Sequence, residues 1–380
     1  MGRKAVYIYS VLISLVFLAG ISAPLTVDIL NLAPSDTISW QENRQLAGKP
    51  DFILSNLDPF PSRYEKFYND HFPFRYSLMN FQIREIRFSL LKQIPDINGL
   101  YVGKKGWLFL EYERPYWDGS IPFTRGLVDS LVKILHDRTL AYRARGIRFY
   151  ILIPPMKCDI YPEMNPTYYY RKSDSVFTDF VAAALKRDTA IRLVWGKEIL
   201  LRHKEAGLLY HLTDNHWNFR GAYYAYRDLA DKIHRDFPAV QPLRESQFTF
   251  VDSLFTAGNL VAELGLRNIY TEVVPEAKIP GKRSHPGSKM GYIPPPEFRD
   301  NNGLENVYEV EDPRLPTAIV IHDSYGAYLV PFLSENFKRT EYLFDGWYYG
   351  PNWEMVEKVK PDLVILEIFS PHLKKLLRWK

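Results

Sequence analysis

The sequence has 380 residues, of which 46% are hydrophobic and 24% are charged, a composition typical of a globular protein. The formal net charge of +4 is too small to indicate nucleic-acid binding. A single cysteine, Cys158, excludes an intrachain disulfide and any cysteine-based zinc or iron–sulfur site. The length is enough for one large α/β domain with an extension, or for two domains.

The N-terminus has the pattern of a membrane signal. Arg3 and Lys4 precede an uncharged, mostly apolar segment over residues 5–25, which is long enough to cross a bilayer as a helix. Because a positive flank stays in the cytoplasm, the rest of the chain is expected to be exported. We predict an uncleaved signal anchor over residues 1–25. The alternative is a signal peptide that is cleaved after the small residues near 20–22.

Residues 26–98 are predicted to form a tether and a helical extension. The first part, up to about residue 60, is rich in Pro, Asn and Asp, which predicts an extended segment. Apolar residues at three- and four-residue steps then predict helices between positions 62 and 94. The pattern is interrupted near Asp70 and His71, which we interpret as part of a polar turn between two helices.

Residues 99–380 predict one α/β domain in which strands and helices alternate, as in a doubly wound fold. A Gly-Lys-Lys-Gly turn predicts a β-hairpin over residues 99–110. Residues 238–316 show no clear pattern and are rich in Pro and Gly between 275 and 296, which predicts an irregular insertion or a lid at the mouth of the site. The other predicted strands are 147–153, 191–195, 318–321, 339–344 and 362–368, and the predicted helices are 127–145, 176–186, 197–205, 218–236, 327–335, 353–360 and a short one from Pro371.

The segment His211–Tyr226 carries an acid and an imidazole two residues apart, just before a predicted helix. Polar residues in this position are typical of a loop that displays its side chains. His216 can accept a proton near neutral pH, and Asp214 can fix the imidazole tautomer, as in hydrolase triads. Trp217 would form a wall beside the pair. The alternative is a surface pair or capping group, with Asn218 as the cap of the next helix and the tryptophan as packing.

The stretch Thr317–Gly326 predicts a buried strand that breaks into a turn at Ser324. In an open α/β sheet, ligands bind at the carboxyl ends of the strands. A hydroxyl there lies at a helix N-terminus, where free backbone N–H groups can stabilise an oxyanion. Gly326 would let the backbone come close to a substrate. The alternative is that Ser324 is simply the cap of the helix.

A metal site is the competing chemical interpretation. Five side chains in the two loops are of types that bind iron or zinc. We favour the serine, because no two of the five have helical i, i+4 spacing and the hydroxyl would otherwise have no role. His322 and Asp323 are then expected to shape the turn around the nucleophile. The five residues are His211, Asp214, His216, His322 and Asp323.

Two more charged residues follow or end predicted strands. Lys157 follows the strand 147–153, and Glu367 lies near the end of the strand 362–368. For Lys157 the alternatives are that it binds substrate or that it holds a neighbouring loop through a salt bridge. The residues alone leave both alternatives open for Lys157, and they leave the role of Glu367 open as well.

Several motifs stand along the chain in a characteristic order. The central one is Asp214-Asn215-His216-Trp217, and the others are Glu42–Arg44, Asn69–Arg75, Val102–Phe109 and Pro155–Pro162. This order resembles the family named for its Asp-His-His-Trp (DHHW) motif, which belongs with the periplasmic alginate-type O-acetyltransferases. Asn here replaces the first His of the motif. The resemblance covers most of residues 40–370 and implies an SGNH-hydrolase-like, three-layer α/β/α fold.

The resemblance implies a catalytic triad. Ser324 would be the nucleophile, His216 the base and Asp214 the acid that orients it. The order Asp, His, Ser along the chain reverses that of ordinary SGNH esterases. It agrees with the permuted arrangement of the alginate-type enzymes.

The rest of the predicted site consists of groups that contact the substrate. No side-chain Asn donor can be assigned, so the oxyanion would be held by the backbone N–H groups of Ser324, Tyr325 and Gly326. Lys157 and Trp217 are the further residues predicted to bind substrate.

By this resemblance the protein is expected to transfer acetyl groups to an exported or cell-envelope polysaccharide through an acetyl-serine intermediate, with no cofactor. The donor would be a partner, a membrane-bound O-acyltransferase. A single-pass anchor in the inner (cytoplasmic) membrane would hold the catalytic domain in the periplasm or outside. The alternatives are a carbohydrate acetylesterase of the same fold and a non-catalytic polysaccharide-binding or assembly protein.

Overall fold

The computed structural model describes residues 3–30, 47–52, 58–73, 75, 78, 81–82, 85, 90, 99–173, 176–295 and 303–379. The chain divides into two compact units, residues 1–95 with 262–266 and residues 96–261 with 267–380. The motif Glu42–Arg44 and most of the helical pattern predicted after Arg75 lie outside the described residues.

The secondary structure alternates along the second unit. The helices of the described residues are α1 (Arg3–Ile29), α2 (Phe60–His71), α3 (Arg114–Asp118), α4 (Arg125–Arg143), α5 (Lys157–Ile160), α6 (Phe177–Arg187), α7 (Gly196–Arg202), α8 (Phe219–Asp236), α9 (Asn259–Glu263), α10 (Val330–Leu333) and α11 (Trp353–Val359). The strands are β1 (Leu100–Val102), β2 (Leu108–Leu110), β3 (Arg148–Ile153), β4 (Arg192–Trp195), β5 (Thr249–Phe255), β6 (Glu272–Lys278), β7 (His285–Pro286), β8 (Glu305–Glu309), β9 (Thr317–His322), β10 (Arg339–Phe344) and β11 (Leu363–Glu367).

The first unit contains α1 and α2. No helix in the described ranges combines the length and the apolar composition that crossing a bilayer requires, so the predicted anchor is not confirmed. In α2, the two polar side chains near its end bond to backbone. The Asp70 carboxylate accepts a hydrogen bond from the Ala47 N–H at 2.8 Å, and His71 Nδ1 lies 2.9 Å from the Phe67 carbonyl oxygen. Both residues belong to the last turn of the helix and not to the predicted turn, and their contacts agree with a structural role for the pair.

Seven strands of the described residues form the main sheet, in the order β4-β3-β11-β9-β10-β8-β7. The first five are parallel to one another, β8 pairs with β10 in antiparallel orientation, and β7 pairs with β8 in antiparallel orientation. The central strands β3, β11 and β9 are nearly continuous apolar runs because both faces of such a sheet are covered by helices. All five strands predicted for the sheet are confirmed, as is the hairpin formed by β1 and β2.

Successive side chains of each strand point to opposite faces of the sheet and enter two separate cores. Leu152 and Ile365 pack on the face covered by α8, whereas Ile151 and Leu366 pack on the face covered by α4, α6 and α11. The domain is therefore the expected three-layer α/β/α arrangement, built on a mixed sheet.

The prediction of an irregular segment over residues 238–316 is wrong. This segment contains α9, β7 and β8, and also β5 and β6, which form a two-stranded antiparallel ribbon. The ribbon lacks a clear alternating pattern because it is mostly half-buried or exposed. Pro275 lies within it opposite Asp252, as a proline can in a strand with a free edge.

The helix predicted over residues 327–335 is only partly correct, because Ser324–Leu329 form a 3₁₀ helix that continues into the short α10. The C-terminal helix is also of 3₁₀ type, over Ser370–Trp379. The carboxyl ends of β3, β11 and β9 lie at the same end of the sheet, because the three strands are parallel neighbours. Lys157, Glu367 and Ser324 stand at or just beyond these ends.

Candidate active site

The turn after β9 places a serine at the carboxyl end of the parallel strands. Asp323 is the N-cap of the 3₁₀ helix, because its Oδ1 accepts a hydrogen bond from the Tyr325 N–H at 2.9 Å. Ser324 is the first residue of that helix and is exposed to solvent. The aspartate takes the capping role, and the serine hydroxyl remains available for other contacts.

The loop before α8 holds its acid and its imidazole together. Asp214 Oδ1 lies 2.6 Å from His216 Nδ1 and accepts a second hydrogen bond from the His216 backbone N–H at 2.9 Å. The loop is closed at its base by the pairing of Tyr210 with Trp217. The Asn218 side chain caps α8 by accepting hydrogen bonds from two backbone N–H groups. This is the capping role predicted for Asn218 as an alternative.

The two loops meet at the imidazole. His216 Nε2 lies 2.7 Å from Ser324 Oγ, although the residues are 108 positions apart in the chain. With Nδ1 donating to Asp214, the neutral ring has Nε2 free to accept the serine proton. The arrangement is that of a nucleophile, a base within hydrogen-bonding reach and an acid that orients the base.

Comparison with known proteins identifies the family. Residues 100–289, half of the chain, match the ALGX family, described as the SGNH hydrolase-like domain of the acetyltransferase AlgX. The chain belongs to the ALGX family. The matched residues include Asp214 and His216 and end before Ser324, so the choice of the serine depends on the motif order and on geometry. No curated protein matches the chain.

The fold is also similar to solved structures. Bacillus cereus PatB1 is 14% identical, covers 72% of this chain and 96% of its own, and has a TM-score of 0.52. A structure of PatB1 with a sulfonyl adduct is 15% identical with a TM-score of 0.54, covering 73% of this chain and 99% of its own. A DHHW family protein from Eubacterium siraeum is 16% identical with a TM-score of 0.50, covering 73% and 93%. At these identities the similarity concerns the fold.

Two reciprocal hydrogen bonds clamp the loops of this ALGX-family domain together. The Tyr325 hydroxyl donates to the Asn215 carbonyl oxygen at 2.8 Å, and Trp217 Nε1 donates to the Tyr325 carbonyl oxygen at 3.0 Å. Both side chains are buried, with exposed fractions of 1% and 0%. Trp217 was predicted to bind substrate, but a fully enclosed indole has no surface for a ligand, and it packs between the loops instead.

Two of the three backbone donors predicted for the oxyanion are engaged inside the turn. The Tyr325 N–H donates to the Asp323 carboxylate, and the Gly326 N–H donates to the Asp323 carbonyl oxygen at 3.1 Å. Within the described part of the chain, no acceptor bonds the Ser324 N–H, which leaves it as the remaining donor of the three. A Cβ on Gly326 would come within 2.5 Å of His322 Cβ, so the glycine is required for internal packing.

Lys157 lies beneath the acid–base loop. Its side chain is fully buried, and Nζ donates to the carbonyl oxygens of Asp214 at 2.7 Å, His211 at 3.1 Å and Leu212 at 3.4 Å. The ammonium also lies 5.0 Å from the ring of Phe109 in the hairpin. Burial lowers the pKa of Lys157 to about 8, against the opposing effect of nearby carboxylates. Lys157 thus holds the loop and, being fully buried, is not placed to bind a substrate. It does so by bonding to carbonyl groups and not through the salt bridge considered from the sequence.

The segment predicted as a lid supports the same loop from another side. The Asn259 N–H donates to Asp214 Oδ2 at 2.9 Å, so both carboxylate oxygens of the acid are bonded. The Glu272 carboxylate accepts from the backbone N–H groups of Leu212 at 2.7 Å and Thr213 at 2.8 Å. Sequence reasoning missed Asn259 and Glu272, because neither lies in a recognisable motif.

A third network lies under the serine turn. Asp323 Oδ2 accepts from the Tyr349 hydroxyl at 2.7 Å and from the Phe369 N–H at 2.9 Å, and His372 Nδ1 is 2.6 Å from the same tyrosine hydroxyl. Burial acts to raise the pKa of Asp323, but contacts with His372 and Tyr349 hold it near 2. Glu367 accepts from the Asp323 N–H at 3.0 Å, and its own pKa is raised by burial and by the Asp323 charge. These groups fix the turn, and Tyr349 and His372 were not predicted.

The residues of the metal interpretation do not form one cluster. No group of three or more His, Cys, Asp or Glu side chains in the described ranges is placed to hold a metal ion. His211 stacks on Phe255 and has its Nδ1 3.7 Å from a Glu272 oxygen. His322 Nδ1 lies 2.6 Å from the Asp323 carbonyl oxygen, which agrees with the expected role of these two residues in shaping the turn.

The buried Asp214 carboxylate predicts a pH-dependent stability. Burial alone would raise the pKa of Asp214, but the charge and hydrogen bonds of His216 hold it below its ordinary value. A depressed pKa stabilises the fold above the unfolded-state pKa of about 4, and this contribution is lost as pH falls toward the folded-state pKa. We therefore expect wild type to be more stable than Asp214→Asn near pH 7, and the difference to shrink below about pH 4.

Urea unfolding of both proteins across this range measures the difference in free energy of unfolding. A difference that stays constant as the pH falls would contradict a stabilising Asp214 carboxylate.

Proposed function

We propose that this protein is a serine-dependent O-acetyltransferase that modifies an exported or cell-envelope polysaccharide. One observation carries the proposal: Ser324 Oγ lies 2.7 Å from His216 Nε2, whose ring is bonded to Asp214 through the other nitrogen at 2.6 Å. Membership of the ALGX family supports acetyl transfer as the reaction. The exposed position of the serine supports access for a large acceptor.

In the first step, His216 Nε2 takes the proton of the Ser324 hydroxyl as Oγ bonds to the carbonyl carbon of the acetyl donor. The Asp214 carboxylate stabilises the positive ring that results. The backbone N–H of Ser324 is the available donor to the oxyanion. When the bond to the donor's leaving group breaks, that group takes the proton from Nε2, and an acetyl ester remains on the serine.

In the second step, a sugar hydroxyl attacks the acetyl carbonyl while His216 Nε2 takes its proton. The bond to Ser324 Oγ then breaks, and the serine recovers its proton from Nε2. The products are the acetylated sugar and the free enzyme. Each step forms one bond to the carbonyl carbon and breaks another, and every proton passes through His216. The reaction as written therefore needs no cofactor.

Acetyl ester hydrolysis is the second candidate, and one observation favours it. Because Ser324 is exposed, water can reach an acetyl-serine as readily as a sugar hydroxyl can. The same three side chains would then release acetate. Comparing acetate release from a chromogenic acetyl ester with and without an added oligosaccharide distinguishes the two, since a transferase gives acetylated sugar at the expense of acetate.

The serine is tested by covalent labelling. A PatB1 structure carries a sulfonyl adduct, so we expect a sulfonyl fluoride to modify Ser324 and to block turnover of the chromogenic ester. Ser324→Ala should prevent labelling and lower turnover by at least about 10³-fold, because the nucleophile is lost. Intact-protein mass spectrometry and ester kinetics measure the two effects.

Ser246→Ala is the matched control, because Ser246 is an exposed serine in another short 3₁₀ helix, Glu245–Gln247. This variant should be labelled and should turn over ester like wild type. Labelling that persists in Ser324→Ala, or unchanged turnover, would contradict the mechanism and favour the non-catalytic binding or assembly role.

We also propose that the domain acts outside the cytoplasm, beside a membrane-bound acyltransferase that supplies the acetyl group. The support is the positive flank of Arg3 and Lys4 before the uncharged segment 5–25. An alkaline phosphatase fused after residue 60 should be active in cells, because this enzyme requires export to fold. The control is the same phosphatase fused to a known signal peptide, which should be active. An inactive fusion beside an active control would contradict the proposed location.

A further inference from the structure

A cavity away from the serine is lined by aromatic and charged side chains. Its volume is about 240 Å³, below the roughly 300–1,000 Å³ of sites for drug-sized ligands. A ligand of this size corresponds to a single sugar ring rather than to a long segment. The lining residues are Arg114, Asp118, Tyr168, Tyr169, Tyr170 and Lys172, and we refer to this site as the tyrosine cleft.

One wall of the tyrosine cleft is fixed by contacts with the hairpin region. The ring of Tyr169 packs edge-on against Tyr101 with centroids 4.9 Å apart, and the Arg114 guanidinium lies 5.1 Å from the centroid of the Tyr169 ring. Arg114 is in turn held by Glu111 at 2.5 Å, and the same carboxylate accepts from the Tyr169 hydroxyl at 3.3 Å. This wall is therefore preorganised.

The polar wall combines charges of both signs. The Asp118 side chain is 5% exposed, and its Oδ2 lies 3.7 Å from the Arg114 guanidinium and 3.9 Å from Lys172 Nζ. Lys172 Nζ also donates to the Ser120 hydroxyl at 2.8 Å. The lining carries two cations and one carboxylate, and Glu111, which lies outside the lining and pairs with Arg114, supplies the second negative charge. A balanced set of this kind offers hydrogen bonds without attracting a net charge, which suits a neutral, hydroxyl-rich ligand.

Two of the lining tyrosines are largely exposed, although the Tyr168 ring also packs edge-on against Tyr169 with centroids 4.8 Å apart. Tyr168 and Tyr170 are 68% and 70% exposed, which leaves their apolar ring faces in contact with water. Tyrosine presents a flat apolar face and a polar tip. Such a pair can cover the apolar face of a sugar ring, while the charged wall bonds to its hydroxyls.

The residues of the tyrosine cleft and Ser324 belong to the same unit of the chain. The tyrosines of the cleft lie on the segment that leaves the carboxyl end of β3, and β3 is separated from β9 only by β11. Strand spacing puts the ends of β3 and β9 about 10 Å apart. A polymer bound in the cleft would have to extend along this part of the unit for another of its sugar units to reach the serine.

We propose that the tyrosine cleft binds one neutral sugar unit of the acceptor polysaccharide, at a distance from the unit that is acetylated. This inference rests on the proposed function for the choice of ligand. Its role is to retain a polymer at a site that is otherwise open, and so to favour a sugar hydroxyl over water at the serine.

Binding is tested without catalysis, in the Ser324→Ala protein. Saturation-transfer NMR with cellopentaose and chitopentaose as neutral probes, and pentamannuronate as an anionic probe, detects weak sugar contacts. We expect at least one neutral pentasaccharide to bind, and to do so more tightly than the anionic one. Adding Tyr168→Ala and Tyr170→Ala should weaken that binding at least about tenfold, because both stacking faces are lost.

Two controls separate stacking from general effects. Tyr168→Phe with Tyr170→Phe keeps both ring faces and should retain most of the binding. Leu254→Ala removes another exposed apolar side chain, 68% exposed on β5, and should bind like the parent. In the protein with its serine intact, the double alanine variant should raise KM for the bound pentasaccharide far more than it changes kcat.

The proposal would be overturned if neither neutral probe bound, if only the anionic one did, or if the double alanine variant bound as well as its parent. This outcome is distinguishable from failure of the proposed function. Glycan binding is read in a protein that lacks the nucleophile, whereas failure of Ser324 labelling in the wild-type protein would concern the mechanism alone.

Discussion

The candidate site depends on a clamp between two loops that are far apart in sequence. The Tyr325 hydroxyl bonds to the backbone of one loop, and the Trp217 indole bonds back to the backbone of the other. Because both side chains are buried, water does not compete for either bond. Breaking one of the bonds would leave a buried polar group without a partner. The clamp therefore sets the separation of 2.7 Å between the imidazole and the serine hydroxyl.

The clamp is effective because each loop is itself rigid. The acid–base loop is held from below by the Lys157 ammonium and from the side by Asn259 and Glu272. The serine turn is held by the contacts of Asp323 with Tyr349 and Phe369. Burying several charges costs desolvation energy, which is offset only when the charges are paired and hydrogen-bonded. The dense bonding around Asp214 and Asp323 meets that condition, so a site on loops can keep the precise geometry that proton transfer requires.

The sequence was informative where chemistry and periodicity produce local patterns. The five parallel strands of the main sheet were predicted, chiefly because both faces of a central parallel strand are buried and its residues are mostly apolar, whereas the antiparallel-paired β7 and β8 were missed. Asp214, His216 and Ser324 stood out because an acid and an imidazole two residues apart and a hydroxyl after a strand are short-range signals. Motif order then suggested that the two loops meet, which local reasoning alone left undecided.

The supporting residues could not be predicted, and the reason is physical. Asn259 acts through its backbone N–H, which every non-proline residue carries. Lys157 bonds to carbonyl groups, so no acidic partner in the sequence marks its position. Trp217 fits a ligand-binding wall as well as a core residue, and only its full burial distinguishes the two. The ribbon of β5 and β6 was missed because a mostly half-buried or exposed hairpin has no strong pattern.

Replacing Tyr325 by phenylalanine tests the clamp most directly, because it removes one hydroxyl and keeps the ring. We predict that the rate constant for sulfonyl fluoride labelling of Ser324 falls at least about tenfold, while the free energy of unfolding falls by only about 1 kcal/mol. Tyr342→Phe is the matched control, since this buried hydroxyl bonds to Ser334 instead, and its labelling rate should equal that of wild type. A Tyr325→Phe protein that is folded and labelled at the wild-type rate would contradict the account.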